Sequence, residues 1–251
     1  NSGTLNVAAD ALGRITNVSG YAVDVAEAQA TGIGQEARGA SNLQVTNTSS
    51  GVLNVSAKAV GQAVYGSVTA TATAVGIRQN LSGYTYYNNN DAHQTWGVVT
   101  NDGKISVAAT AATTLTGTEY FAYGQIEANS TGYGVAQRAY GADNTTIGII
   151  NTGGIQVVTS STADQGLAYG VGEVSAQGTA AGGYQYVYGD ETAVAAVYNS
   201  GSVKVAVDNS ATGMDADAYG AAAGFTQDAY AYGATVGIVS KGNVDVTLDQ
   251  T

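Results

Sequence analysis

Apolar and polar residues alternate with a period of two in short blocks along the chain, and the blocks recur at a nearly constant interval. One block follows an Asn/Ser-x-Gly turn: Gly3-Thr-Leu-Asn-Val, Gly51-Val-Leu-Asn-Val, Gly103-Lys-Ile-Ser-Val, Gly154-Ile-Gln-Val, Gly201-Ser-Val-Lys-Val and Gly242-Asn-Val-Asp-Val. Such alternation marks strands with one buried and one wet face. A second block ends in Gly-x-x-Gln, at Gly32/Gln35, Gly76/Gln79, Gly134/Gln137, Gly182/Gln185 and Gly224/Gln227. Small residues stand five, seven and nine positions before each glutamine, as in Ala26, Ala28, Ala30 and Ala70, Ala72, Ala74. Tiny side chains on a buried face predict a second wall lying close. The Gly and Thr content of these segments argues against helix.

Successive turn glycines lie 48, 52, 51, 47 and 41 residues apart. The chain reads as one domain over 1–251, with repeats starting near 3, 51, 103, 154 and 201 and a partial sixth from 242. Each unit reads as about four short strands joined by Gly/Asn corners, which cannot bury its apolar face alone but can when stacked. The expected fold is all-β, a right-handed parallel β-solenoid (β-helix) of about five repeats of about 48 residues. That repeat length suits one wide coil or two narrow coils of about 24 residues. Gln35, Gln79, Gln137, Gln185 and Gln227 then form one column, and like amides in a column are expected to bond as a structural ladder.

Composition narrows the function. The 251 residues include 35 Gly, 17 Tyr, no Pro and no Cys, with a net charge of −11. Proline would delete a ladder donor in every repeat, so its absence fits stacked strands. Without Cys there are no disulfides, thiolate metal sites or Cys nucleophiles. His93 is the only histidine, which leaves little material for a multi-His metal centre or a Ser-His-Asp triad. The eight basic residues are scattered, which makes nucleic acid a poor partner. No apolar run reaches the ~18 residues of a membrane helix. A membrane barrel would need lipid-facing Leu, Phe and Val bands, where this chain carries 2 Phe and mostly Ala. The chain is therefore not expected to span a membrane.

No catalytic residue, metal site or cofactor is assigned. Gly32-Ile-Gly34 and Gly132-Tyr-Gly134 fall within the repeat and lack the helix a dinucleotide loop needs. Asp190/Glu191 and Asp215/Asp217 read as solvated faces, with no calcium-binding repeat around them. The outward acids Glu27 and Glu127 lie two repeats apart, too far for acid–base partnership.

One interval departs from the rest. Gln79 and Gln137 are 58 residues apart, and the surplus falls near Gly83–Trp96. This stretch carries Tyr84, Tyr86, Tyr87, Asp91, His93 and the single tryptophan, Trp96. Insertions in stacked repeats map to loops on one face, often a binding face. Aromatics interleaved with Asn offer stacking surface and adaptable hydrogen bonds, so these six residues are the candidate ligand surface for a glycan or surface protein.

At the repeat level the chain resembles the bacterial surface proteins with N-x-G-x-I-x-V and A-x-A-x-G repeats, namely autotransporter passengers and filamentous-haemagglutinin-like adhesins. The resemblance covers essentially all 251 residues. It implies a non-enzymatic extracellular structural protein at the bacterial cell surface, a stalk or adhesin segment, and no binding residue carries over from it. Neither terminus shows a polar capping helix, and open strand edges invite pairing. The alternative expectation is therefore a self-assembling filament or surface-layer subunit joined head to tail. A carbohydrate-active β-helix enzyme is the third reading.

Overall fold

The computed structural model of the chain describes residues 1–15, 23–39, 41–64, 66–83, 92–117, 124–166 and 172–251. Among these residues every regular element is a strand. The first seven are β1 (Thr4–Ile15), β2 (Val23–Arg38), β3 (Ser41–Asn47), β4 (Val52–Ala63), β5 (Ser67–Ser82), β6 (Ala92–Asn101) and β7 (Lys104–Leu115). The rest are β8 (Ile126–Asn151), β9 (Gly154–Asp164), β10 (Val174–Asn199), β11 (Ser202–Thr212), β12 (Ala216–Tyr230), β13 (Gly233–Ser240) and β14 (Asn243–Gln250).

They build two sheets, parallel at every pairing. One has six strands in the order β1-β4-β7-β9-β11-β14. The other follows β12-β10-β8-β5-β2, with β13 on β10 and β6 joining β3 to β8. Thr4 pairs with Val52, Val52 with Lys104, Lys104 with Gly154, Gly154 with Ser202 and Ser202 with Asn243. This register puts Gly153, not Gly154, in the turn-glycine column.

The expected fold class is corrected by these sheets. In place of a right-handed β-solenoid with four short strands per repeat, the chain forms two parallel sheets whose strands run to 26 residues. The physical reason lies in the Gly-x-x-Gln glycines, which bend a continuous strand where a corner was expected. In β5 the core-facing buried positions are Val68, Ala70, Ala72 and Ala74 before Gly76, then Ile77, Gln79 and Leu81 after it, while Val75 is buried on the other face, under a cleft. The side-chain parity switches at the glycine while the pairing with β8 resumes in register.

That bend makes two cores. The larger lies between the sheets, with Leu53, Ile105, Ile155, Val203 and their alternate neighbours against the alanines of the eight-stranded sheet. The smaller lies beyond the bend and contains Leu81, Ala139, Ile147, Val187, Ala193 and Ala195. An added Cβ at Gly76 would stand 2.5 Å from the Gly134 carbonyl oxygen, and one at Gly134 the same distance from Gly182 O. The missing side chains also leave the space that Ile105 and Ile155 occupy. Only glycine fits this column, for reasons of close approach rather than positive φ. Positive φ is required elsewhere, at Gly39, Gly66, Gly141 and Gly166.

Facing columns also compensate in size. On the six-stranded sheet the column Ala11, Ala59, Ala111, Ser161, Asn209 grows along the stack. On the other sheet the column Ala28, Ala72, Ser130 gives way to Gly178 and Gly220, where the facing column carries Asn209. The two meet where Ser130 Oγ and Ser161 Oγ share a 2.7 Å hydrogen bond and where a Cβ on Gly178 would overlap Asn209. Interior packing is dense enough that such volume matching is required.

Two amide columns tie the repeats together. Gln79, Gln137, Gln185 and Gln227 each donate through Nε2 to Oε1 of the preceding glutamine, at 2.9, 2.7, 2.8 and 2.7 Å. Asn1, Asn47, Asn101 and Asn151 each donate through Nδ2 to the following asparagine, at 3.0, 2.8, 2.7 and 2.7 Å. Asn199 ends that column on Ser240 Oγ. With six strands about 4.8 Å apart, the stack is about 24 Å tall.

Candidate functional site

Of the six residues nominated from sequence, Tyr84, Tyr86, Tyr87 and Asp91 lie outside the described residues, as does the side chain of His93. Trp96 is placed. It stands on β6 beside Asn42 and Thr146 and is 37% exposed.

The structure brings a different group together. Beyond the glycine bend, β5, β8 and β10 point their glutamines inward and the alternate residues outward. The outward rows are Arg78, Ala136, Tyr184; then Asn80, Arg138, Tyr186; then Ser82, Tyr140, Tyr188. Arg78, Asn80, Tyr133, Arg138 and Tyr184, floored by Val75 and Ala136, line a cleft of about 160 Å³. A second cleft of about 230 Å³ shares Asn80 and continues across Leu81 and Ser82 to Glu36 and Arg38 of β2 and to Tyr140.

The first cleft has an aromatic wall and a cationic edge. The Tyr133 and Tyr184 rings lie 5.6 Å apart in a tilted pair, and the Arg138 guanidinium carbon is 5.9 Å from the Tyr184 ring centre. Both distances are within the attractive range for these groups. Burial, together with the Asp228 carboxylate, raises the Tyr184 pKa above its ordinary 10.0, against the opposing pull of Arg138. Arg38 pairs with Glu36 at 3.3 Å on an exposed surface, a contact of small energetic weight. Arg78 and Arg138 pair with no carboxylate among the described residues. Three of the four arginines of a chain with net charge −11 thus share one face. Planar, delocalised cations beside phenol rings are suited to planar anions and to ring faces.

Sequence reading missed this group because its members belong to different repeats. Arg78 and Arg138 occupy different rows and are 60 residues apart, so no local motif contains both. A usable signal was the position just before each glutamine, where two next-but-one repeats carry Arg78 and Tyr184 while others keep the small Gly34 and Ala136. Among the described residues no three His, Asp or Glu side chains converge as metal ligands, and no helix is long and apolar enough to cross a membrane.

Comparison of the chain with protein-family models, with curated proteins and with solved structures gives no match.

Proposed function

We propose that the chain is a non-enzymatic, extracellular structural segment of a bacterial surface protein, one part of a stalk that presents an adhesive face. The observation that carries this reading is the tyrosine–arginine cleft on the outside of a stack stapled through its repeats by two amide columns. Pre-organised rows on a sheet hold side chains more precisely than loops do. The repeat itself supports the surface-protein assignment by resemblance. The test is to pass the purified chain over beads carrying neutral and acidic polysaccharides and to assay the supernatant for new reducing ends. Retention without new reducing ends is expected, and release of reducing ends would replace this reading by a carbohydrate-active enzyme.

A second reading, head-to-tail assembly into a filament, is favoured by the polarity of the glutamine column. Gln227 presents an acceptor Oε1 at one edge, and Gln35 presents a donor Nε2 at the other. Val244, Val246 and Leu248 stand exposed beside the first of these edges, and Val23 and Val25 beside the second. Electron microscopy across a concentration series distinguishes the two readings: discrete particles at every concentration support the stalk segment, and fibres that lengthen with concentration support the filament.

A further inference from the structure

We propose that the cleft between β5, β8 and β10 binds an acidic saccharide, with Arg78 and Arg138 holding a carboxylate or sulfate and the Tyr133–Tyr184 pair packing on the sugar ring. The proposal rests on the adhesive reading above and adds a ligand class and named contacts to it.

Four observations lead to it. The first is charge. Arg78 and Arg138 are outward residues on neighbouring parallel strands, two positions apart along the sheet, a diagonal of about 8 Å between backbones. Neither forms an ion pair with a carboxylate among the described residues. Two guanidinium forks lining one cleft suit a planar anionic group gripped by paired hydrogen bonds.

The second is shape. A cleft of about 160 Å³ is smaller than the roughly 300–1,000 Å³ of sites for larger organic ligands, so a single ring with its substituents is the matching occupant. The third is the wall. Tyr133 and Tyr184 offer ring faces and hydroxyls together, and Asn80, beside Arg138 in the same row, supplies both a donor and an acceptor. An apolar face studded with hydroxyls is the surface that pairs with such a wall.

The fourth is continuity. The adjoining cleft of about 230 Å³ begins at the same Asn80 and leads to Arg38. A polymer can therefore extend across β5 towards β2 and reach the Arg38–Glu36 ion pair, which a free monosaccharide would not. The overall charge of −11 repels polyanions, so any attraction to an acidic glycan must come from a local site of this kind.

The experiment is calorimetric titration of the full chain with oligogalacturonate, with a sulfated oligosaccharide of similar length and with a neutral gluco-oligosaccharide. The variants are Arg78→Gln, Arg138→Gln and, on the outward face of the other sheet, Lys204→Gln, each checked for an unchanged β-type circular dichroism spectrum. The expected result is binding of at least one acidic oligosaccharide, weakened about tenfold or more by each arginine change, unaffected by Lys204→Gln, and weakened by salt. Preference for the carboxylated or the sulfated probe identifies the anion. Equal binding of the neutral probe, or indifference to Arg138→Gln, overturns the proposal. If neutral polysaccharide beads retain the chain but no acidic oligosaccharide binds it, the cleft assignment falls and the adhesive reading stands. If nothing is retained and nothing binds, both fall.

Discussion

Gln137 donates its side-chain amide to Gln79 Oε1 at 2.7 Å and, with the same nitrogen, to the Gly97 carbonyl at 3.2 Å. The second bond fixes which end of the amide is nitrogen, and the pattern repeats with Gln79 on Val98 O, Gln185 on Ala196 O and Gln227 on Gly237 O. The glutamine column therefore runs donor to acceptor towards the first repeat. The asparagine column runs the other way, from Asn47 to Asn101 to Asn151 to Asn199. Two buried chains of amides with opposed dipoles polarise their own members without building a net field along the stack.

Gln137→Leu should destabilise the chain by about 2–4 kcal/mol, because it strands the Gln79 acceptor, the Gln185 donor and the Gly97 carbonyl in a buried site. Gln227→Leu, at the half-exposed end of the same column, should cost less than about 1 kcal/mol. Denaturant midpoints of the two variants provide the comparison, and equal losses would show that burial of the stranded groups does not set the cost.

Glycines should divide into two classes on substitution by alanine. At Gly134 a Cβ would overlap the Ile155 side chain and the Gly182 carbonyl, neither of which can swing away, so Gly134→Ala should cost more than about 2 kcal/mol. At Gly148 the nearest atom is 3.7 Å away and φ is not positive, so Gly148→Ala should be neutral or stabilising by up to about 1 kcal/mol. Thermal melting of both variants checks the contrast.

Thr159 is fully buried and its hydroxyl has no hydrogen-bond partner. Its column neighbours are Ala109 and Val207. Thr159→Val keeps the shape and removes the unpaired hydroxyl, so it should raise stability by about 1 kcal/mol in a denaturant titration.

Tyr184 should give up its proton above the ordinary tyrosine value of 10.0 in the folded chain. The unfolded chain then ionises first. The stability associated with this group is complete below about pH 10 and is lost as pH rises through the folded value. A tyrosinate absorbance titration of Tyr184→Phe should show a smaller high-pH component than the parent, the rest belonging to Tyr219, which Asp217 also raises, and the variant should lose less stability across that window.

The alternation after each turn glycine, the alanine columns and the five glutamines were all legible, because a stack repeats the same physical demand at the same place in every repeat. The strand lengths were not. Gly76 and its equivalents look like corners between short strands in sequence, yet they bend a continuous strand through close backbone approach, and that distinction depends on the neighbouring strand. Gly153 was also displaced by one position, since Gly153-Gly154 offers two candidates and only pairing with Lys104 chooses between them. The arginine–tyrosine cleft was hidden for a related reason. It breaks the repeat, drawing Arg78, Arg138 and Tyr184 from three different units.

The most direct test of the stacking is a pair of introduced cysteines, since the chain has none of its own. Ser106 and Gln156 are partners on β7 and β9, both on the outward face. In-register parallel neighbours lie about 4.8 Å apart, within disulfide reach. Ser106→Cys/Gln156→Cys should therefore close an intramolecular disulfide under mild oxidation. Ser106→Cys/Ser160→Cys, displaced by four residues or about 13 Å along the strand, should keep free thiols. Closure of the displaced pair, with the in-register pair left reduced, would contradict the stacked arrangement on which the ladders and the cleft depend.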